Sequence, residues 1–428
     1  MVLLLNSTAK NQILEPTLTT YVKLRTFFAL IVSGSLFMVS CNKNGGDDPK
    51  PTLSDYTVMV YGCAGGNLDD VLDIHIEEVI KAKVSNVPMT WCVKYSKQNQ
   101  SNPAKAGLRR FAINENGIEN LEVMSVSTPL YKPENLADFI KWSTERYPAK
   151  KYILLMWNHG GGWSPTDDGA KRSVIFDDNL NNVSMSLDEV AKGVALSGVK
   201  LDVIHYDACL MGCIENLTGL TSVADYALMS NHSIYGGQYT FLRNALSSDA
   251  NPETALAKYG NDLVSHYRGD VDASDIVFTR LNKVSAVNEV MKKVSQELVS
   301  TYDQYKDGYD RALTDAYIYT KDYPFYDIDN YVSLLAKYSD NPTLKEYLQN
   351  LRTAMDQAII FRDDIGKLGK NISWSITAFN KVEWDDNGYN NGNYEALAFD
   401  KATGWSQWLK LNESKSPDFP KNPEDDHK

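Results

Sequence analysis

The run Tyr152–Trp157 is apolar at every position, the pattern of a strand buried on both faces of a parallel sheet. Leu201–Tyr206 reads as a second buried strand. Tyr56–Tyr61, rich in β-branched and aromatic residues, reads as a third, with Met89–Tyr95 and Tyr226–Ser230 beside it. Leu108–Ile113 and Leu121–Ser125 flank Asn116-Gly117, which predicts a hairpin. Between these runs the apolar spacing changes to three and four. Leu68, Val71, Leu72, Val79 and Ile80 predict one helix, and Pro133–Tyr147 another, stopped by Pro148. Ser186-Leu187-Asp188-Glu189 is a capping-box signature that opens a third, and Leu210–Leu220 continues as a fourth.

Strand, helix and strand in alternation imply an α/β fold, a mostly parallel sheet with helices on both faces. The second half is richer in helix: Pro252–Arg268, Asn282–Tyr305, Asp327–Tyr338 and Thr343–Arg362, with strand signals at Ser274–Thr279 and Ile372–Ala378. The expected organisation is an α/β domain over 55–250, a helix-rich part over 251–415 and a polar tail over 416–428.

The N-terminus changes this picture. Lys23 and Arg25 precede an apolar run, Phe27–Val39, too short for a membrane span. It ends in Met38-Val39-Ser40-Cys41, which resembles a bacterial lipobox, so residues 1–41 are expected to be a lipoprotein signal with Cys41 lipidated. The Gly- and Pro-rich stretch 42–54 then serves as a tether. The expected location is the bacterial outer membrane, held by the lipid alone and facing the periplasm or the cell surface. The net charge is −12 with no basic run, which argues against a nucleic-acid partner. Cys63 and Cys92, in or beside apolar runs, are expected as buried thiols. Cys209 and Cys213 lack the further ligands a zinc site needs.

Two polar groups stand directly after buried strands: Asn158-His159-Gly160-Gly161-Gly162-Trp163 and Asp207-Ala208-Cys209-Leu210-Met211. Parallel strands deliver both to one edge of the sheet, where α/β proteins bind ligands. A thiolate at Cys209 would attack a peptide carbonyl, and His159 would protonate the leaving amine. A helix starting after Cys209 would favour the thiolate. The glycines after His159 permit close backbone approach, so the N–H groups of Gly160 and Cys209 could hold an oxyanion. Of the other histidines, His205 reads as a core residue, His75 lies in a helical pattern and His427 in the tail.

Together, YTVMVY near the start, LLMWNHGGGW, Ser173–Asp178 with the SLDEV helix start, and YDACLMG resemble the clostripain-like cysteine peptidases, relatives of caspases, gingipains and legumain. The resemblance spans about residues 55–240 and, more loosely, reaches about residue 411. It implies a caspase-like sheet, a His159/Cys209 dyad, a protein or peptide substrate and no obligatory cofactor. It also implies cleavage after Arg or Lys, with Asp207 in the pocket for the basic side chain; capping of the following helix is the alternative role for Asp207. Activation by cleavage between the His and the Cys would fall at Lys171 or Arg172. Calcium, used by some relatives, would find oxygen ligands in Asp177 and Asp178. One stretch departs from the family: Ser230–Tyr239 keeps only part of the glycine pattern and lacks an acidic residue.

Two other readings compete. His-Gly-Gly-Gly also marks an esterase oxyanion loop, but no Gly-x-Ser-x-Gly elbow occurs in the chain. A surface binding lipoprotein with a degenerate peptidase fold would account for the altered stretch.

Overall fold

The apolar runs of the first half come together as the middle of one sheet. A computed structural model of the chain describes residues 53–64, 68, 71–81, 89–97, 107–114, 117–163, 174–177, 180, 183–232, 234, 237–268, 275–319, 325–365, 368–378 and 394–412. From Thr52 onward the chain forms one compact unit. Its first elements are β1 (Ser54–Cys63), α1 (Val71–Lys81), β2 (Met89–Lys97), β3 (Gly107–Asn114), β4 (Gly117–Met124), α2 (Pro133–Arg146) and β5 (Ala149–Trp157). Then come β6 (Val174–Asp177), β7 (Val183–Met185), α3 (Leu187–Ser197), β8 (Leu201–Asp207), α4 (Ile214–Leu220) and β9 (Ala224–Met229).

The second half supplies α5 (Tyr239–Ser248), α6 (Pro252–Tyr267), β10 (Asp275–Arg280), α7 (Val284–Ser300), α8 (Tyr302–Asp315), β11 (Phe325–Asp327) and α9 (Ile328–Tyr338). It closes with α10 (Pro342–Ala358), β12 (Ile359–Asp364), β13 (Ser375–Thr377), α11 (Ala398–Thr403) and α12 (Ser406–Asn412).

The main sheet has nine strands in the order β12-β10-β9-β8-β5-β1-β2-β3-β4. Its five central strands, β9 to β2, are parallel, and an antiparallel pair closes each side. This is the expected mostly parallel α/β sheet with helices on both faces. One face packs α1, α5 and α6 through Leu72, Ile76, Leu242, Leu256 and Leu263. The other packs α2, α3, α4 and the later helices through Phe139, Val190, Leu217, Val287 and Leu298. Each such apolar side chain, once fully buried, contributes about 1.5–3 kcal/mol. The predicted hairpin forms, with a register shift in its second strand where Asn120 takes φ 52°. The capping box also forms: Ser186 Oγ accepts the Glu189 N–H, and the Glu189 carboxylate accepts the Ser186 N–H at 2.9 Å.

Several expectations need correction. The helix expected over Leu210–Leu220 begins only at Ile214, because Leu210 adopts a left-handed φ of 62°. The helix expected over Thr343–Arg362 ends at Ala358, and the β-branched and aromatic residues Ile359–Phe361 join the sheet as β12. The helix expected over Asn282–Tyr305 breaks at Thr301 into α7 and α8. The helix-rich stretch after residue 250 thus lends two strands, β10 and β12, to the sheet that carries the first-half motifs. Among the described residues, no helix is long and apolar enough to cross a membrane.

Candidate active site

β5 and β8 are neighbours, and their last residues, Trp157 and Asp207, are paired across the ladder. The two motifs therefore leave the sheet side by side at the carboxyl edge. His159 is exposed and its ring meets Phe176 edge-on at 6.5 Å. Gly160 lies directly on the backbone of Cys209. A Cβ added there would stand 2.0 Å from the Cys209 carbonyl oxygen and 3.0 Å from its N. On its other side Gly160 bridges Val174. The residue after the histidine is thus clamped between β6 and the cysteine, and only glycine fits.

Asn158 fixes this arrangement. Its side-chain amide donates to Cys63 O and to Phe176 O, and its Oδ1 accepts the Phe176 N–H at 2.9 Å. One buried side chain thereby ties the ends of β1 and β5 to β6. No periodic pattern marks this role, because the bonds run to backbone atoms far away in the chain.

Cys209 is half-buried, and the Ile234 N–H donates to its Sγ at 3.4 Å. The expected helix N-terminus behind the thiol is absent: α4 starts five residues later, with Cys213 as its N-cap. Leu210 and Gly212 instead bond to the segment that follows β9. The Leu210 N–H donates to His232 O at 3.1 Å, and the Gly212 N–H to Ser230 O at 2.8 Å. Cys63 and Cys213 are buried thiols, and burial pushes the Cys213 pKa well above its ordinary value. The Cys92 side chain lies outside the described residues.

Asp207 is buried. Its Oδ2 accepts the Gly237 N–H at 2.8 Å and the Tyr239 hydroxyl at 3.1 Å, while Oδ1 is buried without a partner among the described residues. It does not cap α4. Gly237 takes a φ of 74°, and a Cβ there would strike the ring of His75 at 2.0 Å. His75, placed only by helical spacing in the sequence, is therefore packed beneath the loop that holds Asp207, between Trp157 and Tyr239. Burial and the Asp207 charge both raise the pKa of the Tyr239 hydroxyl, which keeps it a donor. His205 is a core residue as expected: its Nδ1 lies 3.1 Å from Leu228 O, and burial lowers its pKa, so it stays neutral.

A second set of contacts reaches the site from the C-terminal half. The Trp163 indole N–H donates to Thr377 Oγ1 at 2.5 Å. The Glu215 carboxylate accepts the Thr377 N–H at 3.0 Å and the Tyr394 hydroxyl at 2.9 Å. Burial raises the Glu215 pKa against these bonds. The Ser375 N–H donates to Gly212 O at 3.1 Å, so β13 touches the end of the first motif and the residue directly after the second.

Of the remaining expected residues, Cys41, Lys171, Arg172, Asp178 and His427 lie outside the described residues. Asp177 is buried at the end of β6. Calcium takes six to eight oxygen ligands. Among the described residues no group of three acidic, His or Cys side chains could hold a metal ion.

Comparison with known proteins bears on the family and the fold. The family model described as the clostripain family matches residues 60–411. Clostripain of Hathewaya histolytica is 28% identical over 181 residues, a match covering 37% of this chain and 34% of that protein's length. A solved inactive zymogen C11 protease from Parabacteroides distasonis superposes with a TM-score of 0.63 at 20% identity, over 83% of this chain and 99% of the other. A secreted C11 cysteine protease from Bacteroides thetaiotaomicron, iotapain, gives 0.61 at 16% identity, over 82% and 100%. At these identities the superpositions speak to the fold, the expected caspase-like α/β sheet.

Proposed function

The chain belongs to the clostripain family of peptidases, and from that premise we propose that it is a cysteine endopeptidase with Cys209 as nucleophile and His159 as acid and base. The observation that carries the reading is the seating of Gly160 on the Cys209 backbone, which leaves His159 one residue from the thiol's own main chain. In the first step the Cys209 proton passes to His159 and the sulfur attacks the substrate carbonyl carbon. The oxygen that gains the charge lies within reach of the Gly160 and Cys209 N–H groups. The intermediate then collapses: the C–N bond breaks, the imidazolium of His159 protonates the departing amine, and a thioester remains. Water, deprotonated by His159, attacks the thioester, and the acid leaves as the thiol takes back its proton.

For the residue before the scissile bond we propose Arg or Lys. The buried Oδ1 of Asp207, two residues before the nucleophile, supports this choice: it has no partner among the described residues, and a guanidinium or ammonium would supply a donor. Export by the N-terminal signal, lipidation of Cys41 and self-processing after Lys171 or Arg172 belong to the same proposal and rest on the sequence.

The test is hydrolysis of peptides carrying Arg, Lys, Asp or a neutral residue before the scissile bond, by wild type and by Cys209→Ala. Activity on Arg and Lys peptides that disappears in the variant is expected. Activity surviving Cys209→Ala would overturn the mechanism, and a preference for Asp would remove the role of Asp207. No hydrolysis of any peptide would favour a binding lipoprotein.

A further inference from the structure

We infer that Asp275, at the start of β10, is a positioning residue for Cys209; the inference rests on the dyad reading above. Val277 pairs with Met229 across the antiparallel ladder, so Asp275 faces Asn231, beyond the end of β9. There it is fully buried and gathers donors from three consecutive residues. Oδ1 accepts from Ser230 Oγ at 2.7 Å, Asn231 N at 2.9 Å and His232 N at 2.8 Å. Oδ2 accepts from Asn231 Nδ2 at 2.8 Å and shares the Asn231 N–H at 3.1 Å.

An acceptor-only carboxylate can satisfy four donors at once, whereas a carboxamide offers one acceptor oxygen and brings donors of its own. The sequence 230–232 is therefore held in one conformation by one side chain. Asn231 extends the knot, donating to Ser373 O at 3.0 Å and accepting the Ser375 N–H at 2.8 Å.

What this segment does next matters for the thiol. Its carbonyls at Ser230 and His232 accept the N–H groups of Gly212 and Leu210. Those bonds hold Leu210, the residue after Cys209, in a left-handed conformation that L side chains disfavour. Two residues further on, the Ile234 N–H donates to Cys209 Sγ. No helix N-terminus stands behind Cys209, and this N–H is a backbone donor aimed at the sulfur. A donor to the sulfur favours thiolate over thiol. Asp275 acts through the 230–234 segment and touches neither sulfur nor substrate.

The experiment uses the full-length chain. Asp275→Asn keeps the shape and removes the acceptor capacity. The readouts are kcat and KM on a cleaved peptide, and the pH dependence of Cys209 alkylation by iodoacetamide, followed on the Cys209 peptide by mass. Expected are a kcat lower by roughly 10–100-fold with KM little changed, and a midpoint of alkylation raised by about one pH unit. Ser230→Ala removes one of the four donors and is expected to shift both readouts less, in the same direction. It serves also where Asp275→Asn fails to fold.

A folded Asp275→Asn enzyme with wild-type kcat and alkylation midpoint would overturn the inference. So would a Ser230→Ala enzyme unchanged in both, if Asp275→Asn does not fold. These failures are separate from failure of the dyad, which shows as activity in Cys209→Ala.

Discussion

Asp207 accepts the Gly237 N–H at 2.8 Å, so the last residue of the nucleophile-bearing strand is bonded to the loop that precedes α5. One carboxylate oxygen holds that loop, and the other meets no donor among the described residues. Asp207→Asn separates the two roles. An Asn oxygen can still accept from Gly237 and Tyr239, so the loop survives, but the negative charge is lost. Removing one partner of a buried charge pair costs about 2–5 kcal/mol. We therefore expect kcat/KM to fall at least 30-fold on peptides with Arg or Lys before the scissile bond, and less on neutral ones. Equal losses on all peptides would assign Asp207 to the loop alone.

Gly160→Ala tests the seating of the histidine loop. The added methyl would enter the Cys209 carbonyl at a distance no real Cβ tolerates, and neither backbone has a flexible side chain to yield. Relief requires the His159 loop or the Cys209 loop to move by about an ångström, and displacement of that size costs about 100-fold in rate. The expected outcome is a loss of kcat of that order in a protein whose far-ultraviolet circular dichroism is unchanged. Full activity in Gly160→Ala would show that His159 and Cys209 do not depend on this contact.

These two sites differ in how far the sequence discloses them. His159, Gly160 and Cys209 were legible because each follows a run of apolar residues, and parallel strands end at one edge. The capping box at Ser186 was legible because both of its bonds close within four residues. Leu210–Leu220 misled for a physical reason: Leu210, Met211, Ile214 and Leu217 have helical spacing and all are buried. Their first members are buried by pairing with 230–232, a contact between segments some twenty residues apart. Ile359–Phe361 misled likewise, since residues continuing a helical pattern join β10 instead. Asn158, Asn231 and Asp275 carry polar side chains whose partners are set wholly by the sheet order. No local pattern announces such residues.

Ser186→Ala serves as a control for stability without chemistry. It removes the side-chain half of the capping box of α3, where Ser186 Oγ accepts the Glu189 N–H. Loss of such a cap costs about 1 kcal/mol. Reversible denaturant unfolding should show a lower midpoint at unchanged slope, while kcat/KM stays within twofold of wild type. A change in kcat would mean that α3 couples to the site through a route the contacts do not display.

Asp327 gives a pH dependence with an unusual sign. It caps α9 by accepting the Asn330 N–H at 2.8 Å and also accepts from Tyr319 and Ser373. Burial outweighs these bonds and lifts its pKa from 3.8 to about 6. The folded protein therefore binds the Asp327 proton more tightly than the unfolded chain does. Stability from this group is greatest below pH 4, where both states are protonated, and falls as pH rises toward 6. Above that it is lower by about 3 kcal/mol, the full difference between the two pKa values. Asp327→Asn cannot titrate, so its melting temperature should decline less between pH 4 and 6 than that of wild type, whatever its absolute stability. Thermal melts across that window decide the matter: parallel curves for the two proteins would mean that Asp327 ionises in the folded state as it does in the unfolded chain.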